Sequence, residues 1–412
     1  MSLLEVDEAL RRVLARVSPL DAETVDLTAS VGRVAAHPLV AARPLPAWDN
    51  SAMDGYAVRA ADVPQTPITL PVVDAVAAGD RGDRPIPEGA TARIFTGAPL
   101  PPGTDTVILQ EDAERQGDRV CFQETPRLGQ HVRRQGSDTR LGDVIWSPGR
   151  VLSPGDIAAA ASQGVSTVAV HRRPVVSILS SGDELIGVSD GPPRRGQIVN
   201  GNCPALAAAV REIGGIPQVL PTVGDDAAAT HAALEVGAAG DVLITTGGVS
   251  VGDHDHMGPA LKTLSGDSLA FWKVAIKPGK PLAFGFIDGC ATFALPGNPV
   301  SALVTFEIFV RPALLALMGH TRVCRRPIEA ICNSPLPAGR RRREYLRARR
   351  GYIEGVLHVT PARTQSSGAL SSIAGADALI IVPPYAPARA AGERVWILPL
   401  GPDDPSTRTG VS

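Results

Sequence analysis

The sequence predicts a multidomain protein with α/β and β parts: a central doubly wound α/β domain, a small inserted β domain and a C-terminal β-barrel domain. Between residues 174 and 322, apolar runs typical of strands alternate with helical patterns, which favours a parallel sheet with helices on both faces. Residues 47–135 and 323–405 instead hold short apolar runs separated by Pro- and Gly-rich turns. Such spacing is typical of small all-β domains.

The N-terminal part is predicted to be discontinuous. Apolar residues within 3–17 recur at helical spacing, and residues 25–39 predict a second helix or a short extended piece. After the β-rich stretch, Ser153 and Pro154 are placed to start a helix that runs to residue 164, and a strand follows at 165–170. We therefore expect residues 1–46 and 136–173 to form one linker or dimerisation domain that carries the β domain as an insertion. Residues 406–412 form a polar tail.

Composition excludes several classes of protein. A formal net charge of −2 over 412 residues argues against a general nucleic-acid binder. The N-terminus lacks the basic and apolar regions of a signal peptide, and no uninterrupted apolar run reaches the roughly 18 residues of a membrane span. The five cysteines are scattered without a Cys-x-x-Cys pair, as in a reducing compartment. We expect a soluble cytoplasmic protein with neither a membrane nor a nucleic acid as partner.

Three short motifs lie within residues 240–301. They occupy residues 245–255, 275–281 and 295–301, and each follows an apolar run that predicts a buried strand, at 242–244, 271–276 and 291–295. The third motif also opens a helix, with Asn298 placed as N-cap and Pro299 at the first helical position. Glycines after a strand let backbone N–H groups approach a ligand, and a helix N-terminus attracts negative charge. Together these features suit a phosphate or another oxyanion.

Charged side chains accompany these motifs. Lys277 and Lys280 add positive charge, whereas Asp253 and Asp255 would repel an anion unless Mg²⁺ lies between carboxylate and phosphate. For any one motif, the alternative is an ordinary turn beside a solvated charged face.

Strand order predicts where these groups meet. Residues 181–184, 224–226, 246–255 and 296–301 follow predicted strands, and in open α/β sheets ligands bind beyond the carboxyl ends of the strands. Glu184, Asp225, Asp253 and Asp255 should then converge on one rim. Carboxylates in one cleft repel each other unless a cation or a proton separates them, so the acidic loops again suggest Mg²⁺.

Two other stretches leave alternatives open. Alternation along a C-terminal strand places Arg343, Tyr345, Arg347 and Arg349 on one face. This face is solvated, binds nucleic acid, or contributes one or two arginines to an anionic ligand. The polar loop at 48–58, taken alone, predicts no more than a turn and an edge strand.

Read together, six segments resemble the MoeA family of molybdopterin molybdenumtransferases, which is related to the E domain of gephyrin. The segments are residues 49–58, 96–99, 181–185, 246–252, 277–281 and 295–301. The resemblance implies a MogA-like α/β domain within an elongated, four-domain subunit of a homodimer. It also implies the reaction: adenylated molybdopterin and molybdate yield molybdenum cofactor and AMP, with Mg²⁺. A molybdopterin adenylyltransferase is then the expected substrate donor.

The resemblance also assigns roles by position. Glu184, Asp225 and Asp255 look like the carboxylates that hold Mg²⁺ and the adenylate, and they form the catalytic set with Asp54. Asp54, Thr96 and Asp138 are expected to complete the partner subunit's site. The molybdate and pterin phosphate are expected to meet Lys273, Lys277, Lys280, Arg347 and Ser367. The remaining substrate-binding positions are Ser181, Gly247, Gly248, Ser250, Pro296, Asn298, Pro299 and Ser301.

Some positions depart from the family pattern, and two rival functions remain. Ser181 stands where Thr is usual, Gln135 replaces a common Arg, residues 200–202 match the family sequence less closely, and His256 stands where Tyr is common.

One rival function is that of a MogA-type molybdopterin adenylyltransferase, which shares only the α/β domain. The other is a non-catalytic, gephyrin-like scaffold, which needs no intact acidic rim.

Overall fold

The computed structural model describes residues 3–248 and 256–401, and the chain divides into two compact units. The first unit comprises Met1–Thr24, Arg33–Ala36 and Ala169–Ser412, and the second comprises Val25–Gly32 and His37–Val168. The finer domain boundaries given above stay predictions.

Helices are distributed over both units. The α-helical segments are Val6–Leu14, Pro154–Ser162, Asn202–Glu212, Ala227–Gly237, Met257–Ser265 and Pro299–Leu317, the last with a π-helical turn at Phe306–Val310. Short 3₁₀ turns lie at Leu27–Ser30, Ala60–Asp62, Gln110–Asp112, Gly266–Ser268 and Leu370–Ser372. Short strands outside the main sheets lie at Ala22–Asp26, Leu39–Val40, Asn50–Ser51, Val132–Arg133, Val144–Trp146, Thr167–His171, Leu185–Ile186 and Ile198–Val199.

The first unit is built on a six-stranded sheet. Its strand order is Ile216–Val219, Val175–Ser180, Val242–Thr246, Cys290–Leu295, Ala283–Ile287 and Phe271–Trp272. The first four strands are parallel, and the last two are antiparallel to their neighbours. Ser180 pairs with Thr246 and Thr246 pairs with Leu295, so three strands end at the same level. The loops that follow them therefore start from one edge, as the sequence predicts.

Alternate residues of the central strands fill two separate cores. On one face, Ile178, Ile244 and Phe293 pack with the helices at 6–14, 202–212 and 299–317. On the other face, Leu179 and Leu243 pack with the helices at 227–237 and 257–265. Side chains point to opposite faces along a strand, so nearly continuous apolar runs are what a sheet covered on both faces requires.

The long helix Pro299–Leu317 is a core element. It is long enough to span a membrane, with a mean hydropathy of 1.8, but 78% of its most apolar window is buried inside the protein. Apolar residues on every side of a helix mark a buried position. The helix therefore owes its composition to packing against the sheet.

The C-terminal residues of the first unit form a closed five-stranded barrel, as expected. The strands are Ile328–Cys332, Arg343–Ile353, Val356–Pro361, Ala378–Val382 and Arg394–Pro399, and pairing of the second with the fourth closes the sheet. Leu346 and Ala348 point into the barrel, whereas the alternate residue Tyr345 packs into the core of the α/β sheet. One barrel face thus serves as an outer layer of the α/β domain.

The second unit carries the predicted small β domain. Its six-stranded sheet has the order Thr106–Leu109, Gly55–Val58, Thr91–Ile94, Ile68–Val76, Arg119–Phe122 and Ala113–Gln116. The helix Pro154–Ser162 begins where predicted, with a reciprocal capping box between Ser153 and Asp156 and proline in its first turn. Both features are local, which explains why sequence patterns located them.

Three elements of the α/β domain differ from the prediction. The single strand expected at 271–276 is two short strands, because Lys273 has a φ of +74° that breaks the extended run. The strand expected to lead into the loop at 224–226 ends at Val219, and Val223 returns to the sheet only through a bridge to Ser181. The helix Met257–Ser265 was not predicted, because Gly258 and Pro259 in its first turn resemble a chain breaker although proline is tolerated there.

An ion pair fixes the amino ends of the parallel strands. Arg172 donates to both carboxylate oxygens of Asp241, at 2.7 and 2.6 Å, and the Val175 N–H donates to the same carboxylate at 2.8 Å. Burial alone would raise the pKa of Asp241, but the hydrogen bonds from Arg172 and Val175 outweigh it and hold that pKa below its ordinary value. The carboxylate therefore stabilises the folded state while it is ionised.

We predict that Asp241→Asn lowers the free energy of unfolding by about 2 kcal/mol at pH 7, because a part-buried bidentate pair with arginine is lost. The difference from the parent protein should narrow as the pH falls below about 4, since a carboxyl group whose pKa is lowered by folding contributes stability only above its titration range. Urea titrations from pH 7 to pH 3 measure this. The exposed Asp267→Asn is the matched control, and an equal effect in both variants contradicts the prediction.

Candidate functional site

A polar pocket of about 670 Å³ lies at the carboxyl edge of the parallel strands in the first unit. The structure brings together there seven residues that the sequence assigned to the site: Ser181, Glu184, Gly247, Gly248, Pro296, Asn298 and Pro299. They come from the loops that follow three adjacent strands, which end at the same level of the sheet. The position is the one that open α/β sheets use for ligands.

The wall between two of these loops consists of backbone. Gly247 has a φ of +90° and Gly248 one of +62°. A Cβ at Gly247 would lie 2.7 Å from the carbonyl oxygen of Ser181, and one at Gly297 would lie 3.3 Å from Cα of Gly247. Glycine is needed here both for the backbone conformation and for the close approach of three chain segments.

Asn202 joins the loops through its side chain. Its Nδ2 donates to Oγ1 of Thr246 and to the carbonyl oxygen of Gly297, both at 2.8 Å. Oγ1 of Thr246 donates in turn to the carbonyl oxygen of Pro296 at 3.1 Å. One amide group thus fixes the positions of two loops that line the pocket.

Asn200 holds another part of the pocket wall. Its Nδ2 donates to Oγ of Ser180 at 2.6 Å and to Oγ1 of Thr222 at 3.3 Å, while its Oδ1 accepts from the Cys203 N–H. Sequence reasoning assigned no role to either asparagine. The available signal was two short amides at the start of a helix, where such residues commonly bond to backbone.

The helix at 299–317 begins at the pocket. Asn298 occupies the N-cap position and Pro299 the first turn, as predicted, although the Asn298 side chain makes no capping hydrogen bond. The Val300 N–H donates to the carbonyl oxygen of Ser367 at 3.2 Å, which brings the barrel loop carrying Gly368 and Leu370 to the pocket wall. Ser301 is buried behind this surface. A helix N-terminus aimed at a cavity favours an anionic ligand.

The predicted lysines lie on the segment that packs beside this helix. A Cβ at Gly279 would lie only 2.3 Å from Cγ2 of Thr305, so the segment touches the helix directly. Nζ of Lys277 contacts Oε2 of the buried Glu344 at 2.7 Å. Lys280 is exposed and, within the described parts of the chain, has no ion-pair partner. Lys273 lies near the start of the segment, and none of these lysines lines the pocket itself.

Arg347 is fully buried and holds the barrel loop. Its Nε donates to Oγ of Ser372 and its Nη2 to the carbonyl oxygen of Ser366, each at 3.1 Å. Gln365 bonds to both the N–H and the carbonyl oxygen of Arg347. Burial lowers the pKa of Arg347 to about 10. The guanidinium thus shapes the loop next to Ser367.

The predicted carboxylates of this unit lie on adjacent loops. Glu184 lines the pocket, and the Asp225 N–H donates to Oδ1 of Asp183 at 3.0 Å. Glu184 and Asp225 are exposed, and Asp225 does not line the pocket. Among residues 3–248 and 256–401, no group of three or more metal-binding side chains is present. Ser250, Asp253 and Asp255 fall outside those ranges.

The second unit contains the other predicted site residues. Oδ1 of Asp54 accepts hydrogen bonds from the N–H and the hydroxyl of Thr96, both at 2.7 Å. These bonds lower the pKa of Asp54 below its ordinary value. Asp138 is exposed, and its N–H donates to the carbonyl oxygen of Leu45 at 3.0 Å.

Gln135 has a local role in the same unit. Its N–H donates to Oδ1 of Asp49 at 2.7 Å, and its side-chain amide donates to the carbonyl oxygen of Ala47 at 2.7 Å. Asp49 also accepts from Arg134 at 2.6 Å. The polar loop at 48–58 is thus tied to residues 134–135, far more firmly than a plain turn.

Comparison with known proteins finds matches along most of the chain. Residues 4–164 match the MoeA N-terminal region (domain I and II), residues 177–316 a probable molybdopterin binding domain, and residues 329–400 the MoeA C-terminal region (domain IV). The molybdopterin molybdenumtransferase of Haemophilus influenzae is 34% identical over 97% of this chain and 99% of its own length. Molybdopterin molybdenumtransferase 2 of Mycobacterium tuberculosis is 37% identical over 92% of this chain and 95% of its own.

Solved structures agree. The molybdopterin biosynthesis MoeA protein from Pyrococcus horikoshii superposes with a TM-score of 0.82 at 30% identity, covering 97% of this chain and 100% of that one. This chain belongs to the MoeA family.

Proposed function

We propose that this protein is a molybdopterin molybdenumtransferase, which inserts molybdate into adenylated molybdopterin and releases AMP. The observation that carries the proposal is the pocket at the carboxyl edge of the sheet, where glycine loops and a helix N-terminus meet in a chain related over its full length to proteins of that name. The substrate named in the proposal carries phosphate groups and planar rings. The pocket offers surfaces for both.

The phosphate groups of the adenylate suit the glycine-lined wall. Backbone at Gly247 and Gly297 and the N-terminus of the helix at Pro299 lie together there, and such surfaces bind phosphate through N–H groups and the helix dipole. The pocket also has an apolar flank, to which Leu185, Ile198 and Leu370 contribute side chains. We assign this flank to a ring system of the substrate, because such rings are bound chiefly by apolar contact.

We assign molybdate binding to the segment at 273–280, which carries Lys273, Lys277 and Lys280. Lys280 is exposed beside the helix that opens the pocket, and Lys277 shares its charge with Glu344. Positive side chains offset the charge of an oxyanion and stabilise negative charge that develops during the reaction. Arg347 contributes by holding residues 366–372, which form the adjoining wall.

We further propose Mg²⁺ as the cofactor. Exposed carboxylates at Glu184 and Asp225 supply the oxygen donors that Mg²⁺ prefers, and substrate phosphates and water complete such sites. Asp255 is proposed as a third ligand from the sequence alone. When bound, the ion would polarise the phosphoanhydride whose cleavage releases AMP. The protein groups would hold the reacting phosphate in place and exclude bulk water.

The working form is proposed to be a cytoplasmic homodimer in which Asp54, Thr96 and Asp138 serve the partner's site. The Asp54 carboxylate is held in place by Thr96 at an exposed loop, and within the described residues it forms no ion pair, although the charge of Arg93 also lowers its pKa. The second unit also exposes apolar side chains that suit an interface between copies: Val31, Val40, Leu141, Val144 and Val151. A molybdopterin adenylyltransferase is proposed as the substrate donor.

The rival functions have less support. A MogA-type adenylyltransferase requires only the α/β domain, whereas this chain carries the two flanking family regions as well. A scaffold requires no pocket with glycines at positive φ in its wall.

The function is tested with purified protein, adenylated molybdopterin, Mg²⁺ and molybdate. We predict that AMP release depends on molybdate and that Gly247→Ala lowers kcat/KM by about a hundredfold, because a Cβ displaces the loop by roughly 1 Å. Gly392→Ala is the matched control: Gly392 has a similar φ of +87° but no atom within 4 Å of the added Cβ. Tight binding of the adenylate without AMP release under any oxyanion contradicts the transferase function.

Two lysine variants separate anion binding from stability. Lys280→Gln should raise the KM for molybdate about tenfold, which corresponds to loss of one charge-assisted contact, and leave the thermal midpoint unchanged. Lys277→Gln should raise that KM and also lower the midpoint, because the buried Glu344 loses its counter-charge. Steady-state kinetics and calorimetry measure both effects. The exposed Lys262→Gln is the control, and an unchanged KM in Lys280→Gln refutes the assignment.

Subunit mixing tests the shared site. Asp54→Asn and Glu184→Gln should each be inactive as pure proteins, and dissociation and reassociation of an equal mixture should restore about a quarter of the wild-type activity, because half of the dimers then hold one intact site. Mixing two preparations of the same variant is the control. If the mixture stays inactive while size-exclusion chromatography shows dimers, Asp54 acts within its own subunit or not at all.

A further inference from the structure

A second cavity lies on the barrel, beside the same loop that reaches the pocket at the sheet edge. It has a volume of about 390 Å³ and is lined by the middle of the strand Arg343–Ile353, by the end of the strand Val356–Pro361 and by residues 362–376. The pocket at the sheet edge is lined by Gly368 and Leu370 of the same loop, whereas this cavity is lined by Ser371, Ser372 and Gly375. The two cavities share no lining residue.

Positive charge lines this second cavity without a carboxylate. Arg349 and Arg363 both line it, and no Asp or Glu does. Nε of Arg349 donates to the carbonyl oxygen of Gly375 at 2.9 Å. A Cβ on Gly375 would lie 2.2 Å from Nη2 of Arg349, so the guanidinium lies flat against that backbone. In the described part of the chain, neither arginine forms an ion pair, and Arg363 is exposed.

The surrounding charges reinforce this positive field. Arg347 follows the same face of the strand two residues earlier, and its guanidinium donates to Ser372, which lines the cavity. Asp377 follows this loop in the chain, and it is engaged by the Arg350 N–H at 2.6 Å and by the Arg350 guanidinium at 3.8 Å. Among the described residues, no acidic side chain lines the cavity beside Arg349 and Arg363.

The remaining lining adds hydroxyl groups and apolar surface. Thr360, Thr364 and Ser371 supply hydroxyls, while Pro361, Ala362 and Ala376 supply apolar atoms. The cavity volume is many times the roughly 30 Å³ that one water molecule occupies in the liquid. A bare tetrahedral oxyanion would therefore leave most of the cavity unfilled. Guanidinium groups bind phosphate oxygens through parallel N–H donors.

We propose that this cavity is a binding site for a phosphate monoester, with the phosphate held by Arg349 and Arg363 and the organic part against the apolar wall. The site is distinct from the pocket assigned to the transferase reaction and does not rest on that assignment. A bound phosphate would cross-link the strand bearing Arg349 to the loop bearing Arg363.

The test uses the full-length protein and ribose 5-phosphate as the probe. Binding is measured by equilibrium dialysis with labelled probe, and the rise in thermal midpoint with probe concentration gives an independent measure. We expect saturable binding that weakens as salt is raised. Arg349→Gln and Arg363→Gln should each weaken it about tenfold, the value for loss of one charge-assisted contact.

Arg394→Gln is the matched control, because Arg394 is an exposed arginine on another barrel strand that pairs with Glu329; its binding should equal that of the parent. Loss of binding in Arg363→Gln is interpretable even if Arg349→Gln folds poorly, since the side chain of Arg363 forms no hydrogen bond or ion pair within the described residues. Absence of saturable binding, or equal binding by the parent and Arg363→Gln, overturns the proposal. Inorganic phosphate that binds as tightly as ribose 5-phosphate also overturns it, since the organic part then contributes nothing.

Discussion

The register of three parallel strands is the constraint on which the rest of the site depends. Ser180, Thr246 and Leu295 lie side by side, so the chain leaves the sheet three times at one level. At the opposite edge, the bidentate contact between Arg172 and Asp241 fixes where two of those strands begin. A shift of one residue in any strand would turn its apolar side chains to the wrong face. The two cores and the pocket therefore share a single alignment.

Some side chains at the pocket hold backbone groups in place and do not serve only to contact a ligand. Asn202 fixes the carbonyl of Gly297, and Arg347 fixes the carbonyl of Ser366. Preorganised backbone suits phosphate chemistry, because N–H groups held in place need not reorganise when charge develops. By contrast, Glu184 lines the pocket as an exposed charged group, and Lys280 is exposed on the neighbouring segment. The bonded side chains thus define the shape of the pocket, whether neutral like Asn202 or charged like Arg347.

Local patterns in the sequence predict most of the fold. The barrel strands, the capped helix at Pro154 and the helix at Pro299 follow from alternation, periodicity and capping, which are properties of neighbouring residues. The exceptions arise from distant contacts: the positive φ of Lys273 splits a predicted strand, and its second half pairs with the barrel. In the site, loops after strands were predictable from topology. The bonds of Asn202 were not, because they join segments about 44 and 95 residues away.

The pairing of Ile276–Lys277 with the barrel strand Arg343–Ile353 bears on modularity. Family descriptions divide the chain into successive regions. In the structure, however, a short strand of the α/β domain pairs with this barrel strand. In addition, the core beside the central sheet contains three barrel residues, Tyr345, Leu379 and Leu398. A chain truncated before residue 323 would lose those three side chains and leave an unpaired strand edge open to other molecules. The barrel is thus an integral layer of the domain that precedes it. Recombination between relatives should exchange the two together.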